Sequence, residues 1–260
     1  MRPTTFALGF AALLSATAAN AAMPITVSLE SEMSGIQNST SGFDAVGVER
    51  FENANLGLNG TYTTDFGSGG VFSGVYHDVQ VINHDQYGGA DGTGKYAVTF
   101  SSAGYSLDLS TTLPGGVTYF GFWLSALDGG NNVTFFQGNR QLFTFTAADA
   151  KNFIDGLPGA NSYYGNPNDA NPRRNSGEPY AFLNFYAKAG TTFDKVVFAE
   201  IPQQGGYESD NHTVGRWNKI SGTVIPSTGA VPEPQTWALL IAGFAMVGAS
   251  LRRRNRSVAA

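Results

Sequence analysis

Val133-Thr134-Phe135-Phe136-Gln137-Gly138-Asn139-Arg140-Gln141-Leu142-Phe143-Thr144-Phe145-Thr146 is the stretch that decides the fold class. Residues 133–137 and 141–146 are β-prone runs on either side of Gly138-Asn139, and a two-residue connection of that kind closes a hairpin. The pattern extends both ways. Upstream stand Val117 to Leu124 and weaker runs at 71–76, 79–82, 97–101 and 107–111. Downstream stand 181–186, 196–201 and 220–225. Many short strands divided by turn residues predict an all-β domain of β-sandwich or jelly-roll type. One short helix is expected at 147–154. Thr146 caps it, Asp149 favours its N-terminal dipole, and Gly156 stops it.

Composition agrees with this reading. The 260 residues leave room for one large β domain or two small ones. Only 13% are charged, so solubility rests on Ser, Thr, Asn and Gly. Cysteine is absent, which excludes disulfides, thiolate nucleophiles and zinc–thiolate sites. A domain of about 200 residues buries enough apolar surface to do without cross-links. The net charge is −5, and the middle is more acidic still because Arg2, Arg252, Arg253, Arg254 and Arg256 lie in the end segments. An acidic body excludes nucleic acid as a partner, since phosphate neutralisation needs clustered Lys and Arg.

The two ends carry addresses. Met1-Arg2-Pro3, an apolar run from Phe6 to Leu14 and small residues up to Ala22 form a signal peptide, residues 1–21, with cleavage expected after Ala19-Asn20-Ala21. The Sec translocon and signal peptidase are its expected partners. The extracellular β domain then covers 22–226. Residues 227–235 form a linker around Val231-Pro232-Glu233-Pro234, stiffened because each proline fixes φ. Residues 236–251 carry no charge and as a helix rise about 24 Å. They are expected to form a single transmembrane helix, with Trp237 at one interface. The basic tail 252–260 stays cytoplasmic by the positive-inside rule.

This tail resembles the PEP-CTERM sorting signal of Gram-negative bacteria. The resemblance is carried by Val231, Pro232, Glu233, Pro234, Trp237-Ala238, Ile241 to Phe244, Gly248 and the arginines Arg252, Arg253 and Arg254. It implies processing by an exosortase, an intermediate anchored in the inner membrane, and a final place at the cell surface or in the extracellular matrix. It also implies a link to exopolysaccharide and biofilm. The body resembles the Npun type of exosortase-dependent surface protein over 121–131, 163–167, 178–186, 192–195 and 208–214. That resemblance implies an extracellular β domain and transfers no biochemical activity.

Candidate chemistry is sparse. Gly89 to Lys95 has phosphate-loop spacing, but Tyr96 stands where Ser or Thr is needed and a β-prone run follows, so a hairpin turn is expected. His77, His84 and His212 show no paired metal spacing, and G-x-S-x-G is absent. No catalytic residue is nominated, and a non-enzymatic protein is expected. The densest polar cluster is Glu208-Ser209-Asp210-Asn211-His212. In a regular strand Glu208, Asp210 and His212 share one face. Glu208, Asp210 and Asn211 offer oxygen ligands suited to calcium, the one cofactor the sequence suggests. The same residues with Tyr163 and Tyr164 suit a polysaccharide ligand. The competing reading is a polar network that satisfies buried backbone groups. Trp123 is expected in the core. Residues 86–95 and 161–178 form two loops, the second long enough to suggest function. Three roles follow: a sorted surface or matrix protein, a lectin-like module, or a secreted hydrolase for which no carboxylate pair is nominated.

Overall fold

A computed structural model describes residues 23–226 together with 243–244. The signal peptide, the linker, most of the apolar span and the basic tail lie outside the described residues. Among the described residues no helix is long and apolar enough to cross a membrane.

Residues 23–226 are all-β with one short helix. The strands are β1 (Ile25–Glu30), β2 (Gly42–Glu49), β3 (Asn59–Thr64), β4 (Phe72–Asn83), β5 (Lys95–Thr99), β6 (Tyr105–Thr111) and β7 (Tyr119–Ser125). They continue as β8 (Asn131–Gln137), β9 (Arg140–Thr146), β10 (Ala181–Ala187), β11 (Lys195–Glu200), β12 (Tyr207–Lys219) and β13 (Thr223–Val224). The helix α1 (Ala147–Asp155) follows β9 directly. The hairpin of β8 and β9 closes through Gly138, whose φ of 56° lies in the left-handed region that such turns require. A reciprocal capping box between Thr146 and Asp149 starts α1, as the sequence indicates.

The strands join in one antiparallel sheet of order β13-β1-β10-β7-β12-β5-β4-β6-β11-β8-β9, with β2 on β12 and β3 on β4. The sheet curls until its two halves face each other. Phe122 on β7 meets Phe198 on β11 at 5.0 Å between ring centroids, and Phe185 on β10 meets Phe135 on β8 at 4.7 Å. These strands lie far apart along the ladder, so the contacts are those of a sandwich. The inner-face rings Phe120, Phe122, Phe135, Phe185 and Phe198 are fully buried.

Differences from the sequence reading have local causes. The runs at 71–76 and 79–82 fuse into one strand, β4, in which Asp78 takes a φ of 60°. Of 220–225, only Thr223 and Val224 pair, at the sheet edge on β1. The polar cluster at 208–212 belongs to the longest strand, β12. It lies within the ladder, bonded to β7 and β5 on its two sides.

The chain enters and leaves the domain at the same end. Ile25 pairs with Ala187, and the Ile225 N–H donates to Val27 O at 2.9 Å. Glu30, Phe182, Trp123 and Asp210 follow one another across the ladder at the other end, about 17 Å along the strands.

Phe185→Ala removes the ring that bridges the two halves and is expected to cost about 3–5 kcal/mol in urea unfolding. Thr146→Ala should cost only about 1 kcal/mol, because it removes one cap.

Candidate functional site

The site is organised by an irregularity in β12. Ser209 faces Leu124 and Asp210 faces Trp123, but the register then shifts and Thr213 faces Gly121. Asn211 sits at a φ of 49°, a conformation Asn tolerates better than most residues. This is a β-bulge, and its extra residue resets the alternation of faces. The expectation that Glu208, Asp210 and His212 share one face is therefore corrected. Ser209, His212 and Val214 point into the core, whereas Glu208 and Asp210 point outward beneath the loops.

On the inner side His212 is completely buried. Its Nδ1 bonds the Tyr76 hydroxyl at 2.9 Å, and its Nε2 bonds Ser209 Oγ at 3.0 Å. Ser209 Oγ in turn bonds the Tyr105 hydroxyl at 2.8 Å. The imidazole stacks on Phe198 at 5.2 Å and meets Phe51 edge-on at 5.1 Å. Burial pulls its pKa down to about 3, so it is neutral at any physiological pH. The Ser209–His212 pair thus has nucleophile–base spacing but no solvent-facing atom. It joins the two halves of the sandwich through a polar chain inside an aromatic core.

On the outer side the two loops marked in the sequence dock on each other. The Ala90 N–H donates to Asp210 Oδ2 at 2.8 Å, and the Asn211 N–H donates to Asp210 Oδ1 at 2.6 Å. The Asn211 amide donates to Gln37 O, and the Gln37 amide to Asn168 Oδ1, both at 2.9 Å. Asn166 and Asn175 donate to Gln86 O, and Asn168 donates to Gly89 O. Beneath them Trp123, Ala126, Tyr180, Phe182 and Ala90 form a second apolar cluster. The long loop 161–178 is thereby held by its asparagines. The Gly89–Lys95 segment is a turn between β4 and β5, and Lys95 Nζ donates to Glu52 O and Ala54 O.

Four carboxylates gather beside this cap: Asp128, Glu178, Glu200 and Glu208. Burial raises the pKa of each, that of Glu208 to about 8, and Asp128 adds repulsion to the other three. Burial likewise pushes Glu32 up to about 9, with Glu30 adding repulsion. Asp210 is also raised by burial, offset by its two backbone donors. Several buried polar atoms here have no partner: Glu208 Oε2, Glu178 Oε2, Ser125 Oγ and Trp123 Nε1. No three carboxylate or imidazole groups among the described residues converge into a ready metal cage.

The structure separates the residues nominated from sequence. Glu208, Asp210, Asn211 and His212 are all buried in β12. Tyr163, expected as a surface aromatic, is only 7% exposed and packs on the core. Tyr164 is tied to Asp155 and Lys151, with the ammonium 5.0 Å from its ring centre. Trp123 is in the interior as expected. Glu32, Glu178 and Glu200 escaped sequence reasoning, because single acids beside turns look solvated. Paired glycines next to acids were the available signal: Gly129-Gly130 lies against Gln204 and Glu200, and Gly205-Gly206 against Asp128 and Glu208.

Comparison with known proteins bears mainly on the tail. Residues 230–254 match the PEP-CTERM protein-sorting motif, so the chain carries that motif. The resemblance of the body to the Npun type has no counterpart in this match. No curated protein matches. Among solved structures, the K2 cleaved adhesin domain of Lys-gingipain is similar at 17% identity over 65% of this chain and 99% of that one. The TM-score is 0.34, and a likeness this weak says nothing of what the chain binds.

The buried acids set a pH dependence. A carboxyl with a raised folded pKa holds a proton that the unfolded chain has already released, so its contribution declines as pH rises toward the folded value. His212 acts oppositely, but only between about pH 3 and 6.5. Between pH 7 and 9 Glu208 and Glu32 therefore both contribute to a loss of stability. In chelator-containing buffer the Tm should fall across that window, and Glu208→Gln should reduce the fall; thermal scans at half-unit pH steps check it.

Proposed function

We propose that this chain is an exported, non-enzymatic surface protein, sorted by an exosortase and associated with extracellular polysaccharide. The sorting motif at 230–254 carries this reading, because a proline-stiffened element, an apolar span and terminal arginines are the parts of an export address. Ile225 is hydrogen-bonded beside β1, at the end of the sandwich opposite Trp123, Asp210 and the docked loops. A rigid β sandwich offers such a loop cluster to partners.

A lectin-like role for the same end is the second reading. It is supported by Tyr87, which is 42% exposed on the shorter loop next to Gln86, whose carbonyl accepts from the Asn166 and Asn175 amides. Binding on a glycan array that disappears in Tyr87→Ala is its expected signature.

Removing residues 231–260 should shift the chain from the surface or matrix fraction into the soluble periplasm. Loss of exosortase should leave an uncleaved form in the inner membrane. Fractionation followed by immunoblotting reads both, and an unchanged distribution in both strains would overturn the proposal.

A further inference from the structure

The carboxylates at the loop-covered end pose a physical problem. Asp128 lies among Glu178, Glu200 and Glu208, each repelled by it. None of them takes part in the ion pairs of the described residues, which join His77 and Lys195 to Asp108 and Lys151 to Asp155. Glu200 and Glu208 are buried, and buried carboxylates without a cation must either keep their protons or take a counter-ion.

The geometry favours a counter-ion. Asp128 and Glu208 bear on the same two-residue segment: a Cβ at Gly205 would overlap Asp128 Oδ2, and one at Gly206 would overlap Glu208 Oε1. The glycines leave room for two carboxylates to approach from neighbouring elements. Glu208 is only 5% exposed, and its second oxygen, Oε2, has no hydrogen-bond partner. Directly across the ladder from Glu208 stands Ser125, fully buried, whose Oγ is also without a partner. Opposed residues of an antiparallel pair project from the same face with Cβ atoms about 5 Å apart. An unpartnered carboxylate oxygen and an unpartnered hydroxyl oxygen therefore belong to side chains that leave the sheet side by side on one face.

We propose that Asp128 and Glu208, completed by Ser125 Oγ, bind a divalent cation of the calcium class at the loop-covered end of the sandwich. The donors are all oxygen, which selects a hard cation over zinc or copper. Because no three acidic groups converge among the described residues, neutral oxygens and water complete the coordination, a mixture calcium accepts and magnesium tolerates poorly. This set differs from the one the sequence suggests. Both Asp210 oxygens already accept backbone N–H groups, so that carboxylate is committed within the protein. Glu208 alone is common to both. Bound there, the ion fixes the 128–130 and 205–206 segments beside the docked loops. The site shares no residue with the sorting motif, so its failure would leave the export reading untouched.

Trp123 supplies the readout, since it lies two residues before Ser125 on the same face of β7. The full-length chain in detergent, stripped with EDTA, is titrated with terbium at pH 7 under excitation of tryptophan, and then with calcium as competitor. Saturable sensitised emission displaced by calcium is expected, with a calcium-dependent rise in Tm that equimolar magnesium does not match. Asp128→Asn and Glu208→Gln should each weaken terbium binding by about tenfold or more. Glu208→Gln should melt in EDTA at or above the wild-type temperature, since it removes a buried carboxylate, and so shows that lost binding is not lost folding. Absence of sensitised emission and of a calcium shift in the wild type would overturn the proposal. So would either variant retaining both, or magnesium matching calcium.

Discussion

The bulge at Asn211 is the constraint on which the rest depends. Without it, a regular strand would carry His212 to the same side as Asp210. The imidazole would lose its place between Tyr76, Ser209 and Phe198, and the core would lose its only buried histidine among the described residues. One residue in the left-handed region thus sorts a polar stretch into two assemblies. A neutral hydrogen-bonded hub lies inside, and an acidic, loop-covered face lies outside. A single bulge on a central strand can do this because side-chain alternation has a period of two.

The outer face explains the abundance of asparagine. Residues 86–95 and 161–178 have few ladder partners, and their buried backbone carbonyls need donors. Side-chain amides from Asn166, Asn168, Asn171 and Asn175 supply them. The result is a loop pair fixed by directional bonds over a small apolar cluster. This arrangement suits a domain without disulfides, and among the described residues it leaves Asp128, Glu178, Glu200 and Glu208 outside every ion pair.

Much of this was legible in the sequence where local chemistry decides the outcome. The hairpin through Gly138, the capping box at Thr146 and the buried run around Trp123 follow from turn residues, caps and apolar patterning. The β1 strand, Ile-Thr-Val-Ser-Leu-Glu, alternates as a strand does and was legible though unread, whereas other missed elements have few apolar residues. The β3 strand reads Asn-Gly-Thr-Tyr-Thr-Thr and is half exposed, so nothing local distinguishes it from a loop. The β12 strand was read as a polar cluster because its Glu, Asp, Asn and His obscure a strand that only tertiary contacts bury. The bulge was illegible for the same reason, since Asn permits a positive φ but does not demand one. The acid cluster needed the fold to bring 128, 178, 200 and 208 together.

The division of β12 into a neutral interior and a charged exterior can be observed directly. Nitrogen-15 NMR of His212, followed from pH 8 to pH 4 on the folded protein, reports the protonation of its two ring nitrogens. The account predicts one neutral tautomer throughout, since burial among Phe51, Tyr76 and Phe198 holds the pKa down at about 3. A His212 that titrates near the ordinary histidine value while the fold persists would place it at the surface and contradict the account.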